Sequence, residues 1–411
     1  MTLHRVAITG VGAITPLGGS VAETCAGLAA RRCGTQRMAE WDAFRGLNCR
    51  VGAPANLPDE MAIPRQHRRT MSRMSLFAAL AARQALADAR IDLAAVAGDP
   101  RVGCVIGHTT GSPATITETY ETLLPTHDIS LLTASKFFQC LSHTATLNVS
   151  AFLGIRGVVM ATSAACASGL QAVGTAYDLI RLGRQDVVLC GGAEELHPTV
   201  AGSFDILYAT SSGFNESPQR TPRPFDRDRD GLVCGEGAGI LVLEDFVRAV
   251  QRGVPIHGEV LGYHTCGNGS HVSQSTEEGI LMCVQGALAD AGLAPRQIDY
   301  VNAHATGTPQ GDAAEAAALK SLFGDLGTPI SALKGYLGHT LGASGAIELA
   351  LCLDMMRRGV VCPTHNLDHV APDCAGLNHV LEPAAVRIDR FLKNSFAFGG
   401  INAALVCGRV A

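Results

Sequence analysis

Long hydrophobic runs are missing from this 411-residue chain. No stretch of 18 or more apolar residues occurs, so no membrane span and no membrane partner are indicated. Charge is sparse at 17%, and the net charge is −5. The chain therefore has no global basic field, which argues against nucleic acid as a partner. The start, Met1-Thr2-Leu3-His4-Arg5, runs straight into Val6-Ala7-Ile8-Thr9 without a secretion-signal pattern. Fourteen cysteines are scattered along the chain, but no C-x-x-C pair occurs among them. Reduced thiols are expected rather than a disulfide framework, and with them a cytoplasmic protein. No low-complexity linker divides the chain. With 47% hydrophobic residues, it is globular rather than disordered and long enough to bury a large core.

What is present is an alternation of short apolar runs with helical patterns. Residues 6–10, 102–107, 187–192 and 239–244 read as buried strands; residues 74–89, 170–182 and 344–356 read as helices. That alternation predicts an α/β fold with layered helices and sheet. A repeat is embedded in it. Ala85-Leu86-Ala87-Asp88-Ala89 returns as Ala287-Leu288-Ala289-Asp290-Ala291, each followed by a loop and a strand. Each strand then enters an H-x-T-G turn, at His108 to Gly111 and at His304 to Gly307. A duplicated unit would carry the second-half turn to the tip of a first-half helix.

The helix in question follows Cys166, in Ala161-Thr162-Ser163-Ala164-Ala165-Cys166-Ala167-Ser168-Gly169. An apolar strand pattern at 157–160 precedes it. For one thiol of fourteen a packed core position is the default, but a helix N-terminus brings free N–H groups and partial positive charge that favour thiolate. Other segments supply possible companions. His304 lies in Asn302-Ala303-His304-Ala305-Thr306-Gly307-Thr308-Pro309 at a strand end, where α/β sheets keep their sites. Lys334 and His339 lie among four glycines in Lys334-Gly335-Tyr336-Leu337-Gly338-His339-Thr340-Leu341-Gly342-Ala343-Ser344-Gly345. Asn394-Ser395-Phe396-Ala397-Phe398-Gly399-Gly400-Ile401-Asn402 places two aromatics before a glycine pair. The charge-dense run from Pro224 to Gly231, with Gly235-Glu236-Gly237-Ala238-Gly239 beyond it, reads as a charge-paired structural loop. A nucleophilic cysteine, two glycine-flanked histidines and a lysine are the parts for acyl transfer through a thioester.

These four motifs, in this order and across nearly the whole chain, resemble the β-ketoacyl-[acyl carrier protein] synthases with a Cys-His-His triad, types I and II. The resemblance implies a thiolase-like α/β fold of duplicated halves in an α-β-α-β-α arrangement, with residues 1–250 carrying the nucleophile and 251–411 carrying the two histidines and the lysine. It implies a dimer and decarboxylative Claisen condensation. An acyl group moves from a carrier-protein thioester to Cys166. Malonyl-carrier protein then loses CO₂, and its carbanion attacks the acyl-enzyme. Cys166 resembles the nucleophile, His304 and His339 the pair that assists decarboxylation, and Lys334 the lysine that tunes that pair. The N–H groups of Cys166 and Phe398 resemble the oxyanion hole, and Phe398 the gate. Thr306 and Thr308 resemble the hydroxyls that bind the phosphopantetheine arm, Phe396 and Asn402 further substrate contacts, and Glu315 a buried supporting carboxylate. No metal and no cofactor are implied beyond phosphopantetheine on the carrier.

Three residues depart from the family pattern. Ala305 and Ala397 stand where glycine is usual, which predicts stiffer loops, and Ile401 stands where threonine is usual. Glu194-Glu195-Leu196 and Ala375-Gly376-Leu377-Asn378 lean toward type I, and the 235–239 run toward type II, so primary fatty-acid and specialised polyketide or polyene synthesis both stay open. Thr110, Phe137 and Phe138 are expected in the acyl pocket. Arg65, Arg68 and Arg69, with Arg73 nearby, are the densest basic cluster, the expected dock for an acidic acyl carrier protein. A CoA-dependent thiolase would need a second cysteine near Phe396–Gly400, and none is there. A chain-length-determining partner subunit would ordinarily lack the nucleophile. The chain is therefore expected as a homodimer or as the active half of a heterodimer.

Overall fold

A computed structural model describes residues 3–270 and 275–410. Eleven strands form one mixed sheet: β1 (Val6–Ile14), β2 (Val102–Gly107), β3 (Val159–Thr162), β4 (Val187–Glu194), β5 (Gly237–Asp245), β6 (Gly258–Gly267), β7 (Tyr300–Asn302), β8 (Pro329–Ser331), β9 (Asn378–His379), β10 (Arg390–Ala397) and β11 (Ile401–Gly408). Their order across the sheet is β9-β8-β7-β10-β11-β6-β1-β5-β4-β2-β3. Outward from β1 the pairings run antiparallel, antiparallel, parallel, parallel. Outward from β6 they run in the same sequence. The two halves join where Val6–Ile8 of β1 pairs antiparallel with Gly258–Val260 of β6. The repeat in the sequence is therefore a repeat of strand order and pairing sense.

Five helices complete the layers: α1 (Arg73–Asp88), α2 (Ser168–Arg181), α3 (Glu277–Asp290), α4 (Pro309–Phe323) and α5 (Ser344–Arg358). Strand residues alternate between two cores, as the period of two requires. In β4, Val187 and Leu189 face an outer core with α1, while Val188 and Cys190 face a central core built on α2 and α5. In β11, Ala404 and Val406 join the outer core of α3 and α4, while Leu405 and Cys407 join the central one. Burial on both faces explains why these strands read as continuous apolar runs. The result is the thiolase-like α-β-α-β-α layering.

The element boundaries fall within a few residues of those expected. The strand before Cys166 begins two residues later than expected, at Val159. Gly157 sits hard against Val102 O and Gln185 Oε1, leaving no room for a Cβ, and the pairing with β2 starts beyond it. Among the described residues no helix is long and apolar enough to cross a membrane.

Four loops leave the C-terminal ends of β3, β7, β8 and β10, and they carry Cys166, His304, Lys334 with His339, and Phe398. Carboxyl ends of parallel strands are where an open α/β sheet leaves a crevice.

Candidate active site

The chain turns sharply between β3 and α2. Ala165 takes φ +47°, a left-handed conformation that costs a residue with a Cβ about 1–2 kcal/mol. Ser168 holds the turn: its Oγ accepts from the Ala164 N–H at 2.8 Å and donates to Ala165 O at 2.6 Å. Cys166 follows the strained residue and is only 2% exposed. Burial pushes its thiol up to about 12, against the charge of Lys334 and the N–H groups of Cys166 and Phe398, with Glu194 adding to the rise. The expectation that the helix tip favours thiolate is therefore corrected: desolvation of the sulfur outweighs the favourable field. Cys166 rests as a thiol, with the N–H groups of Cys166 and Phe398 at its sulfur.

His304 Nδ1 or Nε2, a ring nitrogen of His339 and Cys166 Sγ all lie within 4.8 Å of one another. The imidazoles meet edge to face, with centroids 5.2 Å apart at 80°. Each is fixed through its backbone. The His304 and Ala305 N–H groups donate to the two oxygens of Glu315 at 2.8 and 2.7 Å. Asp312, pushed up to about 7 by burial, accepts from the Thr306 and Gly307 N–H groups. His339 is pinned by its neighbours in the 233–235 segment: its N–H donates to Val233 O at 2.7 Å and its carbonyl accepts from Gly235 N–H at 2.8 Å. The charge-dense loop is structural, as expected. Arg223 pairs with Asp226 at 2.9 Å and Arg229 with Asp373 at 2.8 Å, and Gly231 N–H bonds to Gly307 O in the loop of His304.

Nδ1 of His304 and both ring nitrogens of His339 have no hydrogen-bond partner among the described residues. Burial first, then the charge of Lys334, holds both imidazoles well below the usual histidine range. At neutral pH both are uncharged.

Lys334 and Lys393 are fully buried and share one carboxylate. Lys334 Nζ donates to Glu348 Oε1 at 2.7 Å. Lys393 Nζ stands 2.7 Å from Oε2, a charge contact outside hydrogen-bonding geometry. Glu348→Ala leaves two buried ammonium groups without their anion. It is expected to cost about 3–5 kcal/mol of stability, measured by denaturant unfolding.

A cavity of about 350 Å³ reaches the triad. Thr306, Thr308, Phe396 and Phe398 line it, and the threonine hydroxyls lie 3.0 Å apart. Tyr208 stands at the mouth, 90% exposed, with a left-handed φ of +55°. Four residues expected at the substrate are elsewhere. Asn402 is buried and donates to Asn268 Oδ1 at 2.6 Å, tying β11 to the loop after β6 instead of lining the cavity. Thr110 is exposed, its hydroxyl turned back to Gly111 O. Phe138, with Phe137, sits on a short surface helix, Ala134–Cys140, at 39% and 63% exposure. Ala305 and Ala397 have negative φ, so neither needs glycine, and the positive-φ turn is made by Gly399 and Gly400. Arg65 and Arg69 are exposed; Arg68 leans on Glu60 at 3.5 Å, and Arg73 is bound to Glu236. The sequence reading missed Glu348, Lys393, Asp312 and Tyr208. A lone lysine in an apolar strand and a lone glutamate in an apolar helix are signals that mark the first two.

Models of the beta-ketoacyl synthase N-terminal and C-terminal domains match residues 3–249 and 257–368. The 3-oxoacyl-[acyl-carrier-protein] synthase 1 of Escherichia coli K12 is 33% identical over 404 residues, covering 98% of each chain. A crystal structure of a beta-ketoacyl synthase from Burkholderia phymatum superposes with a TM-score of 0.95 at 43% identity, over 99% of this chain and 100% of that one. A structure of the ishigamide ketosynthase/chain length factor superposes with a TM-score of 0.92 at 31% identity, over the whole of both chains. Motifs, duplicated sheet, triad geometry and these matches converge: the chain belongs to the β-ketoacyl synthase family.

Proposed function

We propose that Cys166 accepts an acyl group from an acyl carrier protein and that the same cavity condenses it with a malonyl unit. The observation that carries this reading is a pair of neutral imidazoles, with unpartnered nitrogens, beside one buried thiol. In the first step Cys166 Sγ attacks the acyl thioester. The N–H groups of Cys166 and Phe398 hold the oxyanion, and the carrier's thiol leaves with the Cys166 proton. In the second step His304 and His339 donate hydrogen bonds to the malonyl thioester oxygen. CO₂ departs, and its bonding electrons become an enolate stabilised by those donors. The enolate carbon attacks the acyl-Cys166 carbonyl, the C–S bond breaks, and the sulfur takes up a proton. Thr306 and Thr308 bind the pantetheine arm. Burial, with the field of Lys334 added to it, keeps both imidazoles neutral.

Neither metal nor organic cofactor enters these steps. Incubation with acyl- and malonyl-carrier proteins of varied chain length, in the presence of a chelator, should give a mass increase at Cys166 and a product longer by two carbons. No transfer to Cys166 from any donor would defeat the reading. The E. coli relative is named for an acyl-carrier-protein substrate, and we assign docking of such a carrier to Arg65, Arg68 and Arg69. Arg65→Glu with Arg69→Glu is expected to raise KM for carrier-bound substrate several-fold at low salt and leave free pantetheine substrates unaffected. Equal KM values would remove the dock.

A second chain fits the free edge of β3, where Val159 and Met160 are 46% and 43% exposed. One related structure is a ketosynthase/chain length factor, so condensation by the protein alone indicates a homodimer, and condensation only with a homologous chain indicates a heterodimer. A complete triad argues against an inactive partner subunit. Among the described residues lining the cavity, Cys166 is the one cysteine, which disfavours thiolase chemistry. All fourteen cysteines are unpaired, which supports a cytoplasmic setting.

A further inference from the structure

Of the two fully buried lysines, the proposed steps leave one unused, Lys393. The chain has only four lysines, Lys136, Lys320, Lys334 and Lys393, among its 32 basic residues. Arginine serves nearly everywhere else. Two of the four lysines nevertheless end on the same buried carboxylate, Glu348. Lys393 lies on β10 with the parity of Phe391, whose side chain joins the central core. It therefore points at α5, where Glu348 takes it, and it also donates to Asn394 O at 2.5 Å.

We propose that Lys393 is a positioning residue of the condensing site: by occupying the second oxygen of Glu348 it stops that carboxylate from cancelling Lys334, so that net positive charge faces His304 and His339. This rests on the decarboxylating part given to the two histidines above. The charge arithmetic is direct. Lys334, Glu348 and Lys393 together carry +1; without Lys393 they carry none. The other titratable groups around the pair, Glu315 and Asp312 on α4, Glu194 on β4 and the thiol of Cys166, are the same with and without Lys393, so the difference of one charge stands. Lys393 acts on both imidazoles in the same sense as Lys334, while the charges that act on Cys166 are those of Lys334 and Glu194. The two half-reactions should therefore separate.

The test is the pH profile of CO₂ release from malonyl-carrier protein, with Cys166 acylation followed in parallel by mass spectrometry. Lys393→Met should acylate within about two-fold of wild type. Its decarboxylation should lose activity at higher pH on the acid side, with that limb moved up by roughly half a unit or more, because a histidine freed from a neighbouring cation protonates more readily. Lys393→Arg, which keeps the charge, should return the limb toward wild type. If Lys393→Met does not fold, Lys393→Gln serves as the neutral variant. A neutral variant that acylates normally and keeps the wild-type acid limb overturns the proposal. Failure of wild type itself to acylate Cys166 would instead overturn the condensing-enzyme reading on which it stands.

Discussion

Cys166→Ala is expected to abolish acyl transfer and to lower condensation by about 10⁴-fold or more, because the covalent route has no second cysteine among the described residues lining the cavity. The fold should tolerate the change. Cys166 is buried beside Ala164 and Ala167, and alanine at its position keeps the turn and its Ser168 bonds. The informative measurement is CO₂ release from malonyl-carrier protein by the same variant. His304, His339 and the lysine pair are untouched, so decarboxylation should persist without condensation. Loss of both activities together would mean that the sulfur organises the site rather than reacting in it. The raised thiol pKa sharpens this expectation. A resting thiolate would alkylate quickly at neutral pH, whereas a thiol near 12 should react slowly with iodoacetamide until a thioester enters.

Much of this site was legible from residues alone because its chemistry sits in loops whose composition is unusual. Small residues surround Cys166, and glycines surround His339, because backbones there approach closely: a Cβ on Gly342 would strike His108 Cα and Glu194. The duplicated sheet was legible through the recurring helix and H-x-T-G turn, since both halves repeat the same crossover. What escaped is tertiary. The partnership of Lys393 with Glu348 joins a strand to a helix of the central layer, and no local pattern links them. The height of the Cys166 pKa depends on how completely water is excluded, which a helix-tip argument does not contain. Phe138 and Thr110 are expected in the acyl pocket, yet the helix carrying Phe138 packs on the surface of the single chain and the Thr110 hydroxyl turns back to Gly111 O. Ala305 and Ala397 suggest losses of flexibility, but the turns they flank draw their positive φ from Gly307 and from Gly399 and Gly400. A substitution for glycine matters only where the backbone needs glycine.

His304→Ala and His339→Ala should each reduce decarboxylation by about 10²–10³-fold, the cost of one preorganised donor to a developing oxyanion, while Cys166 still acylates. That split separates these residues from the nucleophile, whose loss has the opposite pattern. The pH dependence of the wild type carries the same point without mutation. Burial and the charge of Lys334 lower both imidazoles well below 6.5. A lowered folded-state pKa means that the neutral form persists as pH falls, so protonation begins only below the ordinary histidine range. The profile of kcat/KM for CO₂ release should therefore stay level through pH 6.5 and fall only at more acid values; a limb centred at 6.5 would show solvent-like histidines and contradict the buried pair. Protonating either ring would place a further cation against Lys334 and Lys393 with no anion free to receive it, since Glu348 already serves both. The same crowding of positive charge that keeps the imidazoles neutral attracts the enolate that forms between them and Cys166. Ground-state repulsion of a proton and transition-state attraction of an anion are two readings of one field.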